Sequence, residues 1–145
     1  MEIERSSLMK AQVYGDLFRT TMICVDSYEN KCATGCLYNA YFDHGIAFKS
    51  TMELLINIES MLEEMNMPQS FTGKRSFSRS EEKAEIKSVN DSVREGKLAT
   101  FSLRILFRQN ASWQGSVTWC EGRSEESFRS VLELLMLMDS ALESK

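Results

Sequence analysis

Apolar and polar residues alternate along two stretches of this chain and recur at helical spacing along two others. From Phe18 to Tyr41, Ile23 and Val25 alternate against Thr21, Cys24 and Asp26, and Leu37 and Tyr41 resume the pattern beyond a turn set between Ser27 and Gly35. Such a period of two predicts a hairpin. From Leu98 to Glu121 the pattern is cleaner. Leu103, Ile105 and Phe107 take one face, Ser102, Arg104 and Arg108 the other, and Val117 and Trp119 continue the apolar face after Gly115. A helical period follows each hairpin. Met52, Leu55, Ile58, Leu62 and Met65 form one stripe, with Glu53, Asn57, Glu63 and Glu64 mostly away from it. The second helix, with Val131, Leu132, Leu134, Leu135, Met136, Leu137 and Met138, is too apolar for a single stripe and is expected to meet a second surface, either the other helix or another subunit. Ser50 to Glu53 and Ser130 to Glu133 read as capping boxes, and Ser124 offers an earlier start for the second helix.

The two halves repeat at a constant offset of eighty residues. Asn30, Gly35, Phe48, Ser50, Glu53, Leu54, Leu55, Ser60 and Leu62 recur as Asn110, Gly115, Phe128, Ser130, Glu133, Leu134, Leu135, Ser140 and Leu142. Matched residues of this kind serve turns and caps, because a reversal needs residues that tolerate positive φ. The expected fold is α+β: duplicated ββα units in residues 1–65 and 98–145, most simply sharing one core as a four-stranded antiparallel sheet with both helices packed on one face, the alternative being two separately packed halves in a dimer. Residues 66–97, rich in serine and mixed charge, read as a flexible linker in which Glu81 to Val89 could form a short helix. Met1 to Tyr14 fits either a short helix or an edge strand.

Composition narrows the class. A chain of 145 residues, 43% hydrophobic and with one proline, buries enough surface to fold without metal or disulfide. Its net charge of −4 argues against a general nucleic-acid or anionic-membrane binder. The N-terminal residues lack the apolar core of a signal peptide and no apolar run approaches a membrane span, so a cytosolic location with reduced thiols is expected.

Trp113-Gln114-Gly115-Ser116-Val117-Thr118-Trp119, then Gly122, then Phe128-Arg129-Ser130 and Glu133-Leu134, resembles a widespread type of small bacterial domain with the pattern W-x-G-x-V followed by F-x-S-x-x-E-L. The resemblance covers about 45 residues and, in a degenerate form with Ala33 and Asn39 at the tryptophan positions, the first half. It implies the strand, strand and helix order and carries no known activity.

Candidate chemistry is sparse. His44, the single histidine, lies in the loop Asp43-His44-Gly45 with no accompanying nucleophile motif beyond a conceivable pairing with Cys36. No phosphate loop or metal motif is present, so neither an enzyme nor a cofactor is expected. Cys24, Cys36 and Cys120 are weak zinc candidates on strand faces, against a plain packing role. Asn110 to Gly115 is similar to the D/N-x-S-x-x-G motif of PilZ domains, and Arg75 to Arg79 to their R-x-x-x-R motif. That similarity implies a cyclic dinucleotide held by Arg75, Arg79 and the turn residues Asn110, Ser112 and Gly115, and Arg104 and Arg108 on the outer strand face are further ligand-binding candidates. PilZ domains close a six-stranded barrel, whereas this chain is read as one strand and a helix after Gly115. Lys74, Arg75 and Arg79 could instead touch nucleic acid, but Glu81, Glu82 and Glu85 follow at once. The favoured expectation is a non-enzymatic protein-interaction module, with Trp113, Trp119, Met136 and Leu137 on the surface that meets a protein partner or a second copy. A small acidic inhibitor of mobile-element origin is a further alternative.

Overall fold

The computed structural model describes residues 19–66, 88–89, 95–109 and 112–144. Strands β1 (Thr20–Glu29), β2 (Cys32–Asn39) and β3 (Gly45–Phe48) precede helix α1 (Thr51–Met65). Strand β4 (Ser88–Val89), strands β5 (Ala99–Gln109), β6 (Ser112–Trp119) and β7 (Ser124–Phe128), and helix α2 (Val131–Glu143) follow. The strands make one sheet in the order β4-β3-β2-β1-β5-β6-β7, antiparallel at every pairing.

The expected four-stranded sheet of ββα units is therefore corrected on both counts. A third strand stands between each hairpin and its helix, making the repeating unit βββα, and a two-residue strand is added at one edge. Ser124 opens strand β7 and not a helix, because Ser130 caps α2 by accepting from Glu133 N at 3.1 Å. Ser50 caps α1 in the same way, with a 3.0 Å bond from Glu53 N. The two caps have almost identical extended backbones. Ser88 and Val89 are a strand paired with Ile46 and Gly45, not part of a helix. The rest of the expected linker up to residue 94, and the N-terminal segment through residue 18, lie outside the described residues.

The β1–β2 loop is the two residues Asn30 and Lys31, both at positive φ, which gives the primed turn whose twist matches the flanking strands. Gly35 does a different job from the turn role read for it. It lies within β2, opposite Val25 and Phe48, and a Cβ there would stand 1.8 Å from the carbonyl oxygen of Cys24. Gly115 repeats this against Arg104 O at 1.9 Å. Both glycines permit close backbone approach and neither has positive φ.

One face of the sheet and both helices share a single core. Ile23, Leu37, Ile46, Phe48, Phe101, Leu103, Val117 and Phe128 supply the sheet side. The α1 stripe is rotated from the expected one. Leu54, Ile58, Met61 and Leu62 face inward with Asn57, whose Nδ2 donates to Ala47 O, while Met52 points outward. From α2, Leu134, Met138, Ala141 and Leu142 are buried. Cys24, Cys36 and Tyr38 form a small separate buried cluster on the other sheet face.

Candidate functional site between the two halves

A bulge in each hairpin decides which side chains meet the helices. The β1–β2 register slips between Val25 and Ser27, and the β5–β6 register slips between Ile105 and Phe107. An extra residue inverts the inward and outward alternation beyond it. Tyr28 and Arg108, eighty residues apart, thereby turn toward the helices. Strict alternation places Phe107 inside and Arg108 outside; the structure reverses this, with Phe107 58% and Arg108 2% exposed.

The hairpin of each half then reaches the helix of the other. Arg108 Nη1 donates to Glu59 Oε1 at 3.0 Å and to Glu63 Oε1 at 2.7 Å, and Trp113 Nε1 donates to Glu59 Oε2 at 2.8 Å. On the opposite side, Tyr28 Oη donates to Asp139 Oδ1 at 2.6 Å, while Lys31 Nζ donates to Asp139 Oδ1 at 2.8 Å and Glu143 Oε1 at 3.0 Å. Asp139 and Glu143 stand eighty residues beyond Glu59 and Glu63, so the two clusters are counterparts built from different side chains. Charge-assisted bonds of this sort fix geometry as well as adding stability.

The second cluster perturbs its own titrations. Lys31 first, then Tyr28, hold the Asp139 carboxyl below its ordinary value, and the bonds to Asp139 and Glu143 raise Lys31. Tyr28 is pushed up to about 12, chiefly by burial and then by its bond to Asp139. A raised folded pKa means that the Tyr28 contribution is complete below pH ~10, the ordinary tyrosine value, and is lost as pH rises toward the folded value. The stability advantage of the native chain over Tyr28→Phe is accordingly expected to be constant from pH 7 to ~10 and to shrink between pH ~10 and ~12, as read from urea midpoints.

Of the residues expected to hold a cyclic dinucleotide, Arg104 and Arg108 are described and do not come together. Arg108 is enclosed by carboxylates on the helix side, whereas Arg104 lies on the opposite sheet face. Ser112 begins β6 and Gly115 is buried within it. Arg75, Arg79 and Asn110 lie outside the described residues. Cys24 and Cys36 are direct cross-strand partners, Cys120 follows the end of β6, and none of the three is in a disulfide. Burial raises the Cys120 thiol, helped by Glu121 and Glu95. Among the described residues no three His, Cys, Asp or Glu side chains are grouped to hold a metal. His44 is exposed in its loop.

Of the expected interface residues, Trp113 is 3% exposed and belongs to the core. Trp119 and Leu137 line a cleft of about 360 Å³ beneath α2. Met136 stands exposed. Sequence reasoning missed Met52, Ile56 and Leu132 as exposed positions, although their eighty-residue correspondence, Met52 with Leu132 and Ile56 with Met136, was available as a signal.

No family model, curated protein or solved structure matches this chain. No helix among the described residues is long and apolar enough to cross a membrane. Surface features among the described residues include the outward faces of α1 and α2 and an opening of about 290 Å³ lined by residues of both helices.

Proposed function

We propose that this chain is a non-enzymatic, cytosolic protein-interaction module whose partner docks across the outward faces of α1 and α2. The carrying observation is a matched set of exposed apolar side chains, Met52 and Ile56 on α1 with Leu132 and Met136 on α2. Single exposed apolar residues are ordinary, whereas four at corresponding positions on two helices that border one cavity repeat the same outward apolar face in both halves. Two of them are methionines, which adapt to irregular partner surfaces.

Charge selects the partner. Neither helix contains lysine or arginine, and Glu53, Glu64 and Glu133 stand on them besides the carboxylates tied to Arg108 and Lys31. An apolar stripe with an acidic rim suits a basic amphipathic segment, in the manner of a helix laid in a groove. A second copy of this chain would set two acidic rims against each other.

The test combines Met52→Glu with Leu132→Glu, two exposed positions whose replacement is expected to change stability by no more than about 0.5 kcal/mol. Immobilised native chain should retain, from its own cells, a protein carrying a Lys- and Arg-rich amphipathic segment and release it at high salt. The folded variant should not retain it. Equal retention by both forms, or none by either, removes the reading, and a doubled mass in light scattering that the variant abolishes would reassign the face to self-association.

A further inference from the structure

The opening between the helices has a filled counterpart in the same molecule. In that counterpart the Trp113 indole lies against α1, donating Nε1 to Glu59 Oε2 while Arg108 occupies Glu59 Oε1. Shifted by eighty residues, Asp139 takes the place of Glu59, Tyr28 that of Arg108, and Leu142 that of Leu62. The departure that matters is Ala33, which stands where the other half has Trp113. What the indole fills on one side remains open on the other, as a cavity of about 290 Å³ whose lining includes Ala33, Leu54, Met138 and Leu142.

The polar arrangement is reproduced too. Tyr28 and Lys31 occupy Asp139 Oδ1, as Arg108 occupies Glu59 Oε1. Asp139 Oδ2, the counterpart of the oxygen that accepts from Trp113, has no bonded side chain among the described residues. Apolar cavities left by a missing large side chain bind ligands of its shape, and a charged acceptor at the rim orients a ring N–H.

We propose that this cavity is a binding site for an indole-sized planar aromatic group, which enters beside Ala33 and donates its ring N–H to Asp139. The outward helix patch shares Met136 with this lining, but Met52, Ile56 and Leu132 lie outside it and Ala33 and Asp139 lie outside the patch, so either proposal can fail alone. The indole can belong to a free small molecule or to a tryptophan presented by another chain.

Indole titrated into the full-length protein should give saturable methyl NMR shifts at Ala33, Leu54 and Met138. 1-Methylindole, which lacks the donor, should bind about tenfold more weakly. Ala33→Trp should fill the cavity, raise the melting temperature and abolish indole binding. Ala33→Met, a smaller intrusion, should weaken binding even if the tryptophan variant fails to fold. A tryptophan-bearing tripeptide that binds more tightly than indole assigns the site to a polypeptide anchor, and the reverse order assigns it to a small molecule. Absence of saturation at millimolar indole, or undiminished binding by Ala33→Met, overturns the proposal.

Discussion

Trp113→Ala is expected to lower the free energy of unfolding by about 4 kcal/mol, the range found when a large buried aromatic is truncated. Trp113 is 3% exposed and packs within the main core. Its removal forfeits the burial of the indole, opens a void between β6 and α1, and strips Glu59 Oε2 of its donor. Trp113→Phe separates these effects. It keeps most of the ring contact and loses the N–H, for an expected loss of about 1–2 kcal/mol. Urea unfolding measures both, with an unchanged slope indicating an intact native state. Because a domain of this kind holds only about 5–15 kcal/mol in total, the alanine variant should melt well below the native chain. A loss under about 1 kcal/mol would mean that the surroundings collapse to fill the void, which the persistence of an opening beside Ala33 argues against.

Arg108→Met should destabilise by about 3 kcal/mol. Methionine keeps much of the apolar stem and removes the charge, leaving Glu59 and Glu63 facing each other without a cation. Removing one partner of a buried pair costs about 3–5 kcal/mol. The lower end applies because the Glu59 and Glu63 side chains are 24% and 41% exposed and water can solvate them in part. Glu59→Gln and Glu63→Gln, added to Arg108→Met, should recover some of the loss, and the shortfall from additivity measures the coupling. Glu63→Gln alone should change little, since a half-exposed ion pair contributes about 0–1 kcal/mol. If Arg108→Met leaves the midpoint unmoved, the cluster is not what holds β5 to α1.

Much of the secondary structure was legible because it rests on local chemistry. The serine caps and the hairpin alternation are written in adjacent residues, and Asn30 adopts the positive φ expected of it. The third strands were not legible. Gly45–Phe48 is too short to show a period, and Ser124–Phe128 contains two serines and two glutamates, residues with little strand preference, held as an edge by pairing with β6. The bulges leave no mark in composition, yet one inserted residue exchanges the fates of Phe107 and Arg108 and draws Trp113's neighbour into an ion cluster. The candidate site was hidden for a further reason. Its partners, such as Tyr28 with Asp139 and Trp113 with Glu59, are distant in sequence, and counterpart clusters use tyrosine and lysine in one half against arginine and tryptophan in the other.

The crossed pattern, in which each hairpin grips the opposite helix, makes the chain resemble two subunits that have exchanged arms and then been tethered. A half excised on its own would present a helix stripped of its clasp and a bare central strand edge along β1 or β5. Its natural remedy is to recruit a twin. Cooperativity is thus built into the wiring: melting of either clasp loosens both halves, so the protein should lose its structure as a single foldon and not in two stages.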